Sequence, residues 1–262
     1  MIWNAYLSEW IKLRRPRLLG ATYLAIAALT VLVTVVTFAR AGQRNADRGD
    51  FVSLAELAST DGLVHGLTRA SALLGVIAFA VAAAQLAGEY TNGTLRNLLV
   101  RQPRRPVLLG GKYLAVVTFM IGAIVIATAA GVASAFVMAS VRNISTTEWT
   151  SPTGLGHLAS GFGDVALAVV GYTTLGMFVA IVVRSPGPAI GIGLVFLLPF
   201  EAIFNAVVTG SDRWLPGQLL DAVAQQGTST VSYGHSLAAS AVYLAVAALV
   251  GLLLFQKRDV TA

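Results

Sequence analysis

An all-α polytopic membrane protein is the fold class that this 262-residue sequence predicts, and three observations predict it. The chain is 56% hydrophobic and only 11% charged, whereas a soluble domain is about a quarter charged. Six stretches long enough to cross a bilayer carry at most one ionisable side chain each. Lys and Arg gather in alternate connections between those stretches.

Crossing the hydrocarbon layer takes about 20 apolar residues at 1.5 Å rise each. Spans are expected at about 18–39, 70–88, 113–140, 165–183, 187–208 and 237–255. The first is too long for a signal peptide and has no small-residue cleavage site after it, so it is expected to stay in the chain. With both ends inside, the inner segments hold twelve Lys and Arg, from Lys12 to Arg258, and the outer ones hold six. That asymmetry predicts cytoplasmic termini. A net charge of +6 is then a matter of topology. Nucleic acid is not an expected partner, because no basic segment is interleaved with exposed aromatics for stacking. No cysteine is present, which excludes disulfides, thiolate metal sites and Cys nucleophiles. The preference for Arg over Lys, with abundant Ala, Gly and Val, suggests a GC-rich bacterial genome, and the expected location is then the bacterial cell membrane.

Ahead of the first span, Trp3, Tyr6, Leu7, Trp10 and Ile11 recur at helical spacing, with Glu9 and Lys12 off that stripe. Residues 1–16 therefore read as an amphipathic helix in the membrane interface, aromatics toward lipid and basic groups toward headgroups. Pro16 ends it and turns the chain into the bilayer.

The most charged connection, about 89–112, lies between spans two and three. Asn92-Gly93 marks a turn, and Thr94 reads as the N-cap of a short helix. Leu95, Leu98 and Leu99 share one face of that helix, with Arg96 and Asn97 off it. Such a face suggests contact with a soluble partner. A topogenic loop that merely contains leucines accounts for the arginines, but not for Glu89 at the membrane boundary or for the Gly-Thr turn.

The run GEYTNGTLRNLLVRQPRRPVLLGGK resembles the corresponding loop of ABC-2-type permeases, the membrane-spanning subunits of a class of ABC exporters. The matching positions are Glu89, Gly93, Thr94, Leu98, Leu99, Pro103 to Arg105 and Lys112. The N-terminal amphipathic helix, the six spans and a polar extracytoplasmic segment at 209–236 resemble the family as well. The resemblance implies that 1–262 is a single ABC-2-type transmembrane domain, with an elbow helix at 1–16 and a coupling loop at 89–112. It implies a coupling helix, carried by Glu89, Gly93, Thr94, Leu95, Arg96, Leu98 and Leu99, that docks on a separate ABC ATPase subunit. A second permease chain, identical or not, would complete the translocation pathway. The implied cargo is a hydrophobic or amphipathic compound: an antibiotic, a peptide or a lipid. The loop between spans one and two, at 40–68, departs from the family in being moderate in length with mixed charges.

The chain is not expected to be an enzyme or to hold a cofactor, and ATP with magnesium belongs on the partner. Gly110-Gly111-Lys112 fails as a phosphate loop, because Pro106 stands at its first glycine position and Tyr113 follows the lysine. His65, His157 and His235 stand apart in the sequence and read as solvated loop residues. Glu201 is the ionisable residue deepest in a span, with Asn205 one turn on. An intramembrane polar site and a Pro199 kink that lets Glu201 reach headgroup water are both open readings. An ion-gradient-driven transporter is the alternative function, although paired intramembrane acids and an inverted repeat are not visible.

Overall fold

The computed structural model describes residues 2–42 and 52–257. Of the charges counted for topology, Arg44, Arg48 and Arg258 lie outside the described residues. Among the described residues there is no strand, and six helical spans are long and apolar enough to cross a membrane. The protein is an all-α polytopic membrane protein.

Helix α1 covers Ile2–Leu13 and is followed by the first span, α2, at Pro16–Arg40. After the short α3 (Leu54–Ala58) comes the second span, α4 (His65–Thr91). A two-turn helix, α5 (Thr94–Arg101), links it to the third span, α6 (Arg105–Arg142). Span four is α7 (Pro152–Val183). Span five is composite, with α8 (Pro186–Val195), a π-helical turn at Phe196–Phe200 around Pro199, and α9 (Glu201–Val207). The small α10 (Pro216–Ala224) precedes the last span, α11 (Tyr233–Lys257). The end of the bundle that carries α1 and α5 holds most of the arginines and is the basic end below.

The most extensive helix contact is between α4 and α7; α2 and α6 pack against each other and against α4, α8 lies against α4 and α7, and α11 lies against α7, α10 and α6. In lipid, helices associate by close van der Waals packing, which favours small residues at the contact. The buried faces follow that rule: Ala70, Ala78 and Ala82 are buried on α4 and Gly161, Ala168 and Ala180 on α7, and a Cβ at Gly176 of α7 would collide with Phe79 O of α4. On α2 the core-facing row is Thr22, Ile26, Thr30, Thr34 and Phe38. Two of its hydroxyls are satisfied within the helix, Thr30 Oγ1 donating to Ile26 O at 2.9 Å and Thr34 Oγ1 to Thr30 O at 2.8 Å.

The spans are longer than the apolar runs that identify them. Helix α6 starts at Arg105, not near Tyr113, and α4 continues to Thr91. Charged residues at span ends are therefore helical, and the connection shrinks to α5 with a few residues on each side.

At the opposite end, the loop between spans one and two is organised where it is described. Ser53 and Glu56 form a reciprocal capping box on α3. The indole of buried Trp149 donates to Leu57 O at 2.9 Å and meets Phe38 and Phe136 edge-on. Arg142 Nη2 donates to Ala41 O at 2.8 Å.

Candidate functional site

Glu89 lies just past Ala87, the last buried residue of α4, and Lys112 stands two turns inside α6. Their side chains meet at the basic end, Lys112 Nζ lying 2.5 Å from Glu89 Oε2. Helix α1 supplies the other half of the cluster. Glu9 Oε1 is 2.8 Å from both Lys12 Nζ and Lys112 Nζ, and Lys12 Nζ is 2.8 Å from Glu89 Oε1. Two carboxylates and two ammonium groups thus alternate in a closed ring that joins three helices. Lys112 is only 4% exposed and Glu9 7%. Burial pulls the Lys12 ammonium down, but hydrogen bonds to Glu89 and Glu9 outweigh it and hold its pKa above the ordinary 10.5.

The ring exists because α1 lies directly on α6. A side chain at Gly111 would place its Cβ 2.6 Å from Ala5 Cβ and 2.9 Å from Tyr6 N, so only glycine permits the crossing. The buried row of α1 is Ala5, Glu9 and Leu13. Glu9, read only as lying off the aromatic stripe, is turned into the protein. The aromatic stripe is left outside: Trp3, Leu7 and Ile11 are exposed, Tyr6 and Trp10 half-buried, and the three rings stack in sequence. Sequence reasoning missed Glu9 and Lys12. The Ala5-Glu9-Leu13 spacing and the Gly110-Gly111 pair were the available signals.

Helix α5 corrects two expectations. Its N-cap is Gly93, in the left-handed region at φ 66°, and Thr94 is already inside the helix. Glycine alone adopts that backbone without strain, so the Gly-Thr pair is a reversal after α4 rather than a side-chain cap. The leucine face points inward. Leu95 is fully buried, and half-buried Leu98 and Leu99 pack against the bundle core. Leucines at the membrane boundary lose most water-exposed area by covering their own protein. The surface that α5 turns outward carries Arg96, Asn97 and Val100, the last 80% exposed.

A cavity of about 590 Å³ opens beside the ring. Lys12 and Arg15 line one wall, and Gln85, Glu89, Asn92 and Asn97 line the other. The elbow, the end of span two and α5 therefore border one space.

Glu201 is fully buried and does not reach headgroup water. Its Oε1 accepts from Gly217 N at 2.9 Å and its Oε2 from Gln218 N at 3.0 Å. It caps α10, whose first N–H groups have no partner within their own helix. Asn205 Oδ1 accepts from Ser211 Oγ at 3.1 Å. Asp221 on α10 accepts from Ser71 Oγ on α4 at 2.6 Å. The polar segment at 209–236 is thus not a free loop, because α10 tucks into the bundle end with Leu219, Leu220 and Val223 buried.

The histidines are not isolated either. His157 Nδ1 is hydrogen-bonded to Asp61, His65 Nε2 is 3.7 Å from Glu56, and His235 Nε2 donates to Arg213 O at 3.0 Å. His65 and His157 share a polar cavity of about 290 Å³ at the end opposite the ring. Among the described residues no cluster of His, Asp and Glu has metal-binding geometry.

Residues 30–261 match the family described as Protein of unknown function (DUF2705). No curated protein matches the chain.

Proposed function

We propose that this chain, which belongs to the DUF2705 family by its match over most of its length, is the permease subunit of a bacterial ABC exporter. It would be multi-pass in the cell membrane with both termini cytoplasmic. It would pair with a second permease chain and depend on a separate ATPase. The observation that carries the proposal is the charge ring. It welds α1, the end of α4 and the start of α6 into one unit around α5, the short helix at the basic end. A push on α5 is then delivered to three helices together, since Leu95 wedges α5 into the bundle and Gly93 joins it directly to span two. The resemblance of the loop to ABC-2-type coupling segments supports the same reading. The docking surface is reassigned to Arg96, Asn97 and Val100, because the leucines are occupied within the chain.

In this reading the ATPases close on ATP and displace both coupling helices, and the path between two permease chains alternates its opening. The cargo class remains a hydrophobic or amphipathic compound. Glu201 lends no support to ion-gradient coupling, since both its oxygens are engaged by α10 backbone.

Co-expression with the cognate ATPase tests the proposal. The two should co-purify, and the isolated permease should show no ATP hydrolysis. Val100→Asp should reach normal abundance in the membrane yet lose the ATPase and transport together. Robust hydrolysis by the isolated chain overturns the assignment.

A further inference from the structure

The bundle holds an apolar groove of about 390 Å³ between α6, α7 and α11. We propose that it seats one acyl chain of an anionic phospholipid from the leaflet at the basic end. Its volume lies within the usual range of small-molecule sites, about 300–1,000 Å³. Leu109, Met177, Phe178, Ile181 and Leu244 form its walls. Its polar wall groups, the Tyr113 and Thr174 hydroxyls, lie 2.9 Å apart in a mutual hydrogen bond, so neither needs a partner from the occupant. An uncharged, flexible hydrocarbon suits such a lining.

Depth identifies the occupant further. On α7 the groove runs from Val170 to Ile181, near the helix end at Val183. At 1.5 Å per residue that is roughly 16 Å, half of a hydrocarbon layer about 30 Å thick. The groove therefore spans one leaflet and stops near the midplane. A single alkyl chain of one leaflet reaches that depth.

The mouth selects the headgroup. Arg105 Nη1 donates to Phe255 O at 3.0 Å and Gln256 O at 2.9 Å, tying α6 to the end of α11 below the groove. Arg104 is exposed beside it, and Lys257 ends α11. The N-terminus of α6 adds its positive dipole end. A phosphate with a net negative headgroup complements that rim, and basic side chains at the surface attract anionic lipids. The proposal does not rest on an ATPase partner.

Native mass spectrometry after partial delipidation tests it, with phosphatidylglycerol and phosphatidylcholine added back separately. Wild-type protein should retain phosphatidylglycerol at least tenfold more strongly. Ala248→Trp fills the groove from an exposed position on α11 and should lower retention of both lipids tenfold or more. The Arg104→Gln, Arg105→Gln double variant should keep lipid but lose the preference. Gel-filtration profiles report folding, and Leu252→Trp fills the same groove if Ala248→Trp misfolds. Equal retention of the two lipids by wild type, or undiminished phosphatidylglycerol on a folded groove-filled variant, overturns the proposal.

Discussion

Glu89 and Lys112, 23 positions apart, face each other at 2.5 Å across the connection between the second and third spans. Neither is balanced by the other alone, because Glu9 and Lys12 complete the ring from α1. A buried pair adds little net stability over an apolar one, but removing one partner strands a charge at a cost of about 3–5 kcal/mol. Glu89→Gln and Lys112→Gln should each lower unfolding stability in mild detergent by about 3 kcal/mol. The double variant should lose clearly less than the sum. Additive losses would show that the two charges are independent.

The ring has an alkaline limit set by Lys12. Its pKa is raised in the folded protein, so its contribution is complete below 10.5 and is lost as pH climbs through the raised value. Melting temperature should therefore show no Lys12-dependent fall between pH 7 and 10. A fall above that range should be present in wild type and missing from Lys12→Met. If both proteins lose stability alike on the alkaline side, Lys12 is not the group responsible.

Two positions on α5, five residues apart, should respond oppositely to the same change. Leu95→Asp places a carboxylate in the core and should abolish accumulation in the membrane. Val100→Asp is exposed and should leave abundance within about 20% of wild type, the change falling outside the core. Leu95→Ala should cost about 2–5 kcal/mol, as a large-to-small core substitution does. Immunoblots of membrane fractions decide the matter, and normal accumulation of Leu95→Asp would show that α5 faces the other way.

Glu201 is expected to hold α10 in place. Glu201→Ala leaves the buried N–H of Gly217 and the part-buried N–H of Gln218 without acceptors, at about 1–3 kcal/mol for the buried one and less for the other. Hydrogen exchange at these amides should rise by an order of magnitude or more. Protease added from outside should cut 209–232 faster. Unchanged protection at both amides would mean that another group caps the helix.

Orientation is open to a direct test, because the chain has no native cysteine. Ser53, Ser229 and Asn97 are all exposed. Single cysteines at Ser53 and Ser229 should react with an impermeant thiol reagent on intact cells, and one at Asn97 only after permeabilisation. Outside labelling at Asn97 would invert the protein and remove the ATPase docking reading with it.

Six spans and an all-α fold were legible along the chain because the bilayer imposes a length and a polarity that one helix must satisfy alone. The breaks at Pro16 and Gly93 were legible for the same reason: a missing N–H or a left-handed φ is a property of one residue. Partnership was not. Lys12 read as headgroup-facing and Glu9 only as off the stripe, because the aromatic row dominates α1, and only the Gly111 crossing turns the opposite row into the protein. Leu95, Leu98 and Leu99 formed a clear face, but an apolar face does not say which neighbour covers it. Packing on the bundle decided that, by burying Leu95 completely. Glu201 looked like an isolated intramembrane charge until α10 folded back to offer it two backbone donors. Local chemistry thus set the helices and their ends. The tertiary structure alone chose which charges meet, because ion pairs and caps form between groups distant in sequence whose separation only packing determines.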